Sequence, residues 1–271
     1  MGLHSGRISS RVWIGHGVMA RVLVWFSDGA ASAVAAKLAI QKYGERVEVL
    51  KCDTTSTEHP DNLRFRAEVE RWLGQSVILL RSKDYTDIDD VFERTRYMAG
   101  NAGARCTTEL KKLVRRAYEQ PGDIHVFGYT ADETPRILAF AANNPEIVCD
   151  WVLVEQAIGK AECYQILEDA GIALPAMYAL GFEHNNCLGC VKASSPAYWN
   201  RVRRLFPDVF ARRAKQSRDI GARLVRVAGV RVFLDELGAL AGDGEGDGDI
   251  ECGPFCAIPE QSSLNWFEGV A

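Results

Sequence analysis

Short apolar runs alternate with longer amphipathic stretches along the first half of the chain. The apolar runs predict four β-strands, over residues 21–27, 47–51, 76–80 and 123–129. The amphipathic stretches predict helices over residues 30–43, 61–73, 88–98, 107–118 and 136–142. Because strands alternate with helices, we expect a doubly wound parallel α/β sheet with helices on both faces. Ligands of such sheets bind at the carboxyl ends of the strands, which here carry the loops 27–32, 52–57 and 128–136.

The pattern changes after residue 150. A helix is predicted over 162–170, a loop with the motif Cys187-Leu188-Gly189-Cys190 follows, and a helix over 197–210 precedes a hairpin over 224–234. The segment 242–249 mixes glycine with acidic residues, which is typical of a mobile linker. We therefore divide the chain into four parts: a loose extension (1–20), an α/β domain (21–150), a cysteine-bearing α+β portion (151–240) and a flexible tail (241–271).

Composition indicates a cytoplasmic protein in which cysteine serves chemistry. No apolar run approaches the ~20 residues of a membrane span, so no membrane partner is expected, and residues 1–20 lack the apolar region of a secretory signal. In a reducing compartment, eight cysteines favour metal binding or catalysis over disulfides. Cys52, Cys149 and Cys163 have apolar neighbours and are predicted to be small buried side chains. The other five are candidates for chemistry: Cys106, Cys187, Cys190, Cys252 and Cys256.

Charge is distributed unevenly along the chain. The net charge is −4, yet basic residues concentrate between Arg201 and Arg231, where only Asp208 and Asp219 oppose them. One interpretation is a solvated helix face. The other, which we favour, is a surface that attracts the phosphates of a nucleotide or of nucleic acid.

The loop after the first predicted strand has the sequence Ser27-Asp28-Gly29-Ala30-Ala31-Ser32. Small residues between a strand and a helix let backbone N–H groups and the helix N-terminus face an anion, and the two serines add hydroxyl donors. The alternative is a tight turn with a helix cap. The loop lacks the Gly-Lys-Ser/Thr of a Walker A loop and the spacing of a dinucleotide fingerprint.

This loop resembles the pyrophosphate loop, of form S-G-G-x-D-S, of the adenine nucleotide α-hydrolase-like superfamily. Ser27, Gly29 and Ser32 match that form. Ala31 stands where the family has the aspartate associated with magnesium-assisted ATP cleavage, and Asp28 replaces a glycine and is the candidate substitute for that aspartate.

Further motifs resemble the phosphoadenosine phosphosulfate (PAPS) reductase branch and follow in its order. Asp53-Thr54 resembles its D-T motif, and residues 128–136 resemble its G-x-R-x-x-E-x-x-R with the first arginine replaced. Cys106 with Lys111 resembles its cysteine-then-lysine motif, and Glu251-Cys252-Gly253 resembles the E-C-G that carries its nucleophilic cysteine. The resemblance implies the following nucleotide-binding set: Ser27, Asp28, Gly29, Ser32, Asp53, Thr54, Gly128, Glu133 and Arg136.

Two cysteines separated by two residues present both sulfurs on one side of a turn, as one edge of a metal site. Spacing does not separate zinc from a [4Fe–4S] cluster, whereas the resemblance favours the cluster. The predicted ligands are Cys106, Cys187, Cys190 and Cys256. Cys252 is then the nucleophile, although the roles of Cys252 and Cys256 are interchangeable on sequence grounds.

The resemblance implies an enzyme that reduces a sulfonucleotide, either PAPS or adenylyl sulfate (APS), with a thiol donor protein. The first alternative is an ATP-dependent sulfurtransferase of the same superfamily that acts on nucleic acid or a nucleobase. Its sulfur would arrive through the cluster or a persulfide, with a sulfur donor protein as a partner. The second alternative is a non-catalytic nucleotide-binding module with structural zinc. The sequence leaves the oligomeric state open.

Overall fold

Five parallel strands form the centre of the structure, a computed structural model that describes residues 20–100 and 103–242. The strands in this part of the chain are β1 (Val22–Trp25), β2 (Val47–Cys52), β3 (Ile78–Leu80), β4 (Ala99–Gly100), β5 (Gly103–Ala104), β6 (Ile124–Val126), β7 (Val148–Asp150), β8 (Val225–Val227) and β9 (Val230–Val232). The helices are α1 (Ala30–Tyr43), α2 (Asn62–Leu73), α3 (Ile88–Thr95), α4 (Arg105–Thr107), α5 (Leu113–Tyr118), α6 (Thr134–Asn143), α7 (Val152–Glu155), α8 (Lys160–Asp169), α9 (Ala176–Ala179), α10 (Pro196–Leu205) and α11 (Pro207–Ile220). A π-helical turn, Thr108–Lys112, joins α4 to α5. None of the helices in the described ranges is long and apolar enough to cross a membrane.

The central sheet has the strand order β3-β2-β1-β6-β7, and all of its pairings are parallel. The chain therefore runs outward from β1 to β3 and returns to the other side of β1 as β6. At this reversal the loops that follow β1 and β6 leave in opposite directions and open a crevice at the carboxyl edge of the sheet. The predicted α/β class with a parallel sheet is confirmed, and the arrangement is compatible with a doubly wound fold.

The two faces of the sheet are covered by different helices. Val22 and Val24 point to one face and join a core with buried residues of α1, α2 and α8. Leu23 and Trp25 point to the other face, where Val114 of α5 and residues of α6 cover them. This alternation follows from the two-residue period of a strand, so an entirely apolar strand requires helices on both faces.

A second core lies beside the sheet and contains the cysteine turn. It joins buried residues of α3, such as Phe92, to residues of α10 and of the β8–β9 hairpin. Leu167 of α8, by contrast, belongs to the first core. Segments from both sides of residue 150 thus contribute to both cores.

Two local features distinguish the structure from the sequence-based expectation, and a third agrees with it. β7, which forms one edge of the sheet, was not predicted. The single helix expected over 197–210 is wrong, because Phe206 leaves helical geometry (φ −136°, ψ 63°) and Pro207 begins a new helix that extends to Ile220. Proline suits the first helical turn, where no intrahelical partner is needed for its missing N–H, and is disfavoured in a helix interior. The predicted hairpin is confirmed, with Ala228 and Gly229 both at positive φ in its two-residue turn.

Candidate functional site

A cavity of about 340 Å³ occupies the crevice at the carboxyl ends of β1, β2 and β6. The loop after β1 contributes Ser27, Gly29 and Ser32, and the loop after β6 contributes Gly128 and Thr130. This is the position at which parallel α/β sheets bind ligands, and the volume falls within the range of roughly 300–1,000 Å³ that is usual for small-molecule sites.

Hydrogen bonds between serines fix the loop after β1. The Ser32 hydroxyl accepts from the Ser27 backbone N–H at 3.1 Å and donates to the Gly29 carbonyl at 2.9 Å. The two hydroxyls of Ser27 and Ser32 are 3.1 Å apart. α1 begins at Ala30, within this loop, so the helix N-terminus and both hydroxyls lie at the cavity wall. Such an arrangement suits an anion.

Gly128 brings the loop after β6 against the start of α1. A Cβ atom at this position would lie 2.6 Å from the Ser32 backbone nitrogen and 2.8 Å from the Ser32 Cα. No side chain fits such an approach to backbone atoms, so this position requires glycine. The sequence-predicted residues Ser27, Gly29, Ser32 and Gly128 therefore form one wall of one cavity.

Asp28 supports the loop from below and is not among the residues that line the cavity. Its side chain is fully buried, and its backbone has φ 56°. The carboxylate accepts from Arg66 Nε at 3.0 Å and Nη2 at 2.7 Å, and it lies 3.0 Å from Lys51 Nζ. These ion pairs explain how the loop tolerates a left-handed aspartate, and they direct the carboxylate away from the cavity.

A buried polar network continues from Asp28 across the floor of the site. Lys51 donates to both carboxylate oxygens of Glu58, at 2.8 and 3.0 Å, and Thr54 donates to Glu58 at 2.6 Å. Burial opposes ionisation of Glu58, but the Lys51 charge and these hydrogen bonds lower its pKa to about 2. Asn185 donates to the Asp28 carbonyl at 2.6 Å and so connects this network to the cysteine loop.

The remaining predicted nucleotide-binding residues are placed unequally. Thr54 lines the cavity, whereas Asp53 is not among the lining residues and pairs with Arg81 at 2.9 Å. Glu133 and Arg136 both line the cavity and form an ion pair with each other. Glu133 also accepts from the Thr130 backbone at 2.9 Å, which closes a capping box at the start of α6.

Lysine and tyrosine side chains that were not assigned to the site also line the cavity. Among them are Lys51, Lys111, Lys160 and Tyr178. A lysine in the otherwise apolar strand β2 was a signal for Lys51, because a charge in a strand that is covered on both faces needs a buried partner. Lys111 belongs to a quoted motif but was given no role. With Arg136, the three lysines bring four cationic groups to a wall that also carries the carboxylates of Glu58, Asp132 and Glu133.

The cysteine motif forms a tight turn that is fixed on several sides. The side chains of Cys187 and Cys190 are buried, and Gly189 has φ +63°. A Cβ at Gly189 would lie 2.9 Å from Val209 Cγ1, so both conformation and space require glycine here. The Leu188 N–H donates to the Thr57 carbonyl at 2.8 Å, and the Cys190 N–H donates to the Tyr198 hydroxyl at 2.8 Å.

Two thiols on one tight turn suit one edge of a thiolate-ligated metal centre. Within residues 20–100 and 103–242, no three histidine, cysteine or acidic side chains converge to hold a metal ion. Cys106 packs against the same core as Cys187 and Cys190 but does not complete such a group with them. Cys252 and Cys256, the predicted nucleophile and fourth ligand, lie outside the described residues.

The other cysteines divide into two kinds. Burial raises the pKa of Cys149 and of Cys163 to about 12, which favours the protonated thiol at both positions. Cys163 is buried as predicted, whereas Cys149 is only partly buried. Cys52 is buried against the core but also lines the cavity. Cys187 lines it too. The cavity wall therefore includes the loop after β1 and the first cysteine of the motif.

Much of the basic segment between Arg201 and Arg231 holds the structure together. Arg203 lies over the Phe210 ring, 4.3 Å from its centroid, and donates to the Leu237 carbonyl at 2.8 Å. Arg218 pairs with Asp235 and Glu236. Arg213 is fully buried. The predicted attraction of nucleic acid stays a prediction that the exposed members, such as Arg204 and Arg226, would have to carry.

No protein-family model matches the chain, and a sequence comparison with curated proteins finds no match. The site is a crevice at the strand-order reversal of a parallel α/β sheet, with the N-terminus of α1, two serine hydroxyls and the first cysteine of the motif on its wall.

Proposed function

We propose that the protein is an enzyme of the PAPS reductase family that binds an adenine nucleotide in the crevice and performs sulfur chemistry there. One observation carries the proposal: Cys187 lines the same cavity as Ser27, Gly29 and Ser32. A phosphate-binding loop alone would suit many nucleotide-binding proteins. A thiol-bearing motif on the wall of the same cavity favours a nucleotide whose reacting group contains or receives sulfur.

The charge of the cavity suits the phosphates and sulfate of such a nucleotide. The N-terminus of α1 and the serine hydroxyls would hold one anionic group, and Lys111, Arg136 and Lys160 also line the cavity and would attract the others. Trp25 and Phe127 also line the cavity and offer apolar surface to a base. These groups bind and orient the nucleotide and require no rearrangement of the loop.

The reaction we propose is reduction of a sulfonucleotide. The Cys252 thiolate attacks the sulfur of the bound APS or PAPS, an S–S bond forms, and the S–O bond to the phosphate breaks as the nucleotide leaves with the electron pair. A thiol of a donor protein then attacks the Cys252 sulfur, forms a disulfide and releases sulfite. The two electrons thus come from thiols. A cysteine-ligated [4Fe–4S] cluster, when bound, would adjust the electrostatics beside the nucleotide.

A second candidate is ATP-dependent sulfur transfer to a nucleobase or nucleic acid. It is favoured by the serine hydroxyls and helix N-terminus at the crevice, an arrangement that suits a pyrophosphate group. It is disfavoured at Asp28, because the carboxylate that would replace the absent magnesium ligand is held by Arg66 and Lys51. A non-catalytic module with zinc would show neither reaction.

The test uses the full chain purified without oxygen. With APS or PAPS and a thiol reductant, we expect release of sulfite, and Cys252→Ser should abolish it. Cys149→Ser replaces a thiol that does not line the cavity and should leave it unchanged. Sulfite release by C252S at the original rate would refute the reduction proposal. Pyrophosphate release from ATP, stimulated by nucleic acid, would favour the second candidate, and nucleotide binding without either reaction would favour the module.

A further inference from the structure

A fully buried arginine lies against the cysteine turn. Arg213 of α11 is 0% exposed, and its Nε donates to the Gly189 carbonyl at 3.3 Å. On its other edge, Nη1 donates to Gln216 at 2.5 Å and pairs with Asp89. The guanidinium carbon lies 5.4 Å from the centroid of the Phe92 ring, so one face of the group is covered by an aromatic side chain. The arginine is therefore a built part of the second core.

One nitrogen of this guanidinium, Nη2, is buried and has no hydrogen-bond partner among the described residues. In the planar guanidinium, the Nε–H bond and one Nη2–H bond point in the same direction, which is why this edge binds carboxylates in a bidentate manner. Because Nε points to the carbonyl of Gly189, Nη2 is aimed at the cysteine turn as well. A buried charged donor without an acceptor is costly, so an acceptor at this turn is expected.

Two arginines share one carboxylate beside the turn. Asp89 lies between two arginines, because it pairs with Arg213 and also lies 3.3 Å from Arg212 Nε. One carboxylate thus faces two guanidinium groups. An additional anion would balance this charge, and Cys187 and Cys190 can supply it, since metal-bound cysteines are thiolates whereas neutral thiols are weak acceptors.

We propose that Arg213 is a positioning residue that donates to an anionic, thiolate-ligated metal centre at Cys187 and Cys190. The inference rests on the metal centre of the proposed function but not on its nucleotide reaction. Arg213 would act through the sulfur atoms and the Gly189 carbonyl, as outer-sphere partners orient and tune metal ligands elsewhere. It would raise the affinity for the metal and, for an iron–sulfur cluster, raise the reduction potential by stabilising the more negative state.

The experiment compares full-length Arg213→Gln and Arg213→Lys with the original protein, each loaded without oxygen with zinc or with iron and sulfide. Metal affinity is measured by competition with a chelator, and the cluster potential by redox titration. We expect R213Q to lose metal affinity by about 10–100-fold, with R213K between the two. Arg203→Gln is the matched control, because it removes an arginine that contacts Phe210 and Leu237 in the same core. It should leave affinity and potential unchanged.

A second variant covers the case in which R213Q does not fold. Asp89→Asn removes the carboxylate that neutralises Arg213, so it should raise the potential and retain the metal, the opposite sign from R213Q. Folded R213Q with the original affinity and potential, or D89N with a lowered potential, would overturn the proposal. Failure of the original protein to bind either metal would also overturn it, while nucleotide-dependent sulfite release would then still support the proposed reaction.

Discussion

A buried arginine contacts each of the two loops at the candidate site. The two arginines differ in how many of their guanidinium nitrogens have hydrogen-bond partners in the described part of the chain. Arg66 holds the loop after β1 (residues 27–32), which is the phosphate loop of the proposed function, through two hydrogen bonds to Asp28, at 3.0 and 2.7 Å. Its Nη2 also donates to Thr55 at 3.1 Å. Arg213 holds the cysteine turn through a single bond to Gly189 and leaves Nη2 without a partner in the described part of the chain.

The guanidinium group at the first loop therefore has its acceptors within the protein, whereas the one at the cysteine turn needs an additional acceptor. The phosphate loop carries its own counter-charge, Asp28, so its shape does not depend on the nucleotide. Beside the cysteine turn, Arg213 and Arg212 share a single carboxylate, Asp89, and Nη2 of Arg213 has no acceptor among the groups described. Preorganisation of the first loop favours ligand binding, since little ordering remains to be done when the nucleotide enters. The second region is expected to gain stability when its thiolates bind metal.

The largest loss of stability is expected when the buried ion pairs of Asp28 are removed. Asp28→Ala leaves Arg66 and Lys51 buried without their shared carboxylate, which should lower the free energy of unfolding by about 3–5 kcal/mol. Denaturant unfolding measures this change. Asp53→Ala is the control, because its partner Arg81 is 75% exposed and such pairs contribute about 1 kcal/mol or less. Equal losses in the two variants would show that the phosphate loop does not depend on its buried pair.

A pH titration of stability tests a buried hydrogen bond between strands β1 and β6. Trp25 of β1 donates to Nδ1 of His125 of β6 at 3.0 Å, which requires an unprotonated Nδ1. Burial and the Arg115 charge lower the pKa of His125 from 6.5 to about 4. Since the unfolded chain binds the proton first, stability should be complete above pH 6.5 and fall by up to about 3 kcal/mol as the pH approaches 4.

The variant His125→Gln separates this contribution from the carboxylates that titrate in the same range. Glutamine keeps an acceptor for Trp25 but does not titrate. The free energy of unfolding of H125Q should therefore change less between pH 6.5 and 4 than that of the original protein. Identical pH profiles would assign the loss to other groups.

A glycine substitution tests whether nucleotide binding depends on the close approach of the loop after β6 to the start of α1. Gly128→Ala places a Cβ 2.6 Å from the Ser32 nitrogen, so we expect about 1–3 kcal/mol of destabilisation and at least a tenfold loss of nucleotide affinity. Gly238→Ala is the matched control, because no atom lies within 4 Å of its Cβ position. An unchanged nucleotide affinity in G128A would show that the loop after β6 does not form part of the nucleotide site.

The smallest effect is expected from an exposed charge on the cavity wall. Lys160→Met should weaken nucleotide binding only a few-fold, and the difference should shrink at high salt, because Lys160 is exposed and its ammonium donates to the Glu183 carbonyl. Titration calorimetry at two salt concentrations measures this effect. Lys215→Met, on the exposed face of α11, should show no loss.

The residues that line the crevice could be predicted from the sequence more fully than the buried charged residues that hold its loops in place. Apolar strands alternating with helices were sufficient for the parallel sheet, and the strand-to-helix loop was sufficient for Ser27 and Ser32. Arg66 was not singled out, because on a helix with one apolar stripe it looks like a surface residue. Its partner Asp28 is 38 positions away, and only the packing of α2 beneath the loop brings them together.

The same limit applied to the cysteine region. Arg213 was part of a basic segment interpreted as a phosphate surface, and its burial depends on α11, whose full length the pattern did not indicate. The break at Phe206 sets the direction of that helix, and a strand as short as β7 carries too few residues to show a period. Local pattern predicts elements, whereas buried charges are assigned by contacts distant in sequence.

The most direct test of the central claim asks whether the nucleotide and Cys187 share one cavity. The full chain, treated with a chelator and a reductant, is alkylated with and without saturating adenine nucleotide, and modification of each cysteine is followed by mass spectrometry. We predict that APS, PAPS or ATP slows modification of Cys187 at least tenfold and leaves Cys149 unaffected. If nucleotide binding is confirmed independently and Cys187 is alkylated at the same rate with and without saturating nucleotide, the proposal of a shared cavity is contradicted.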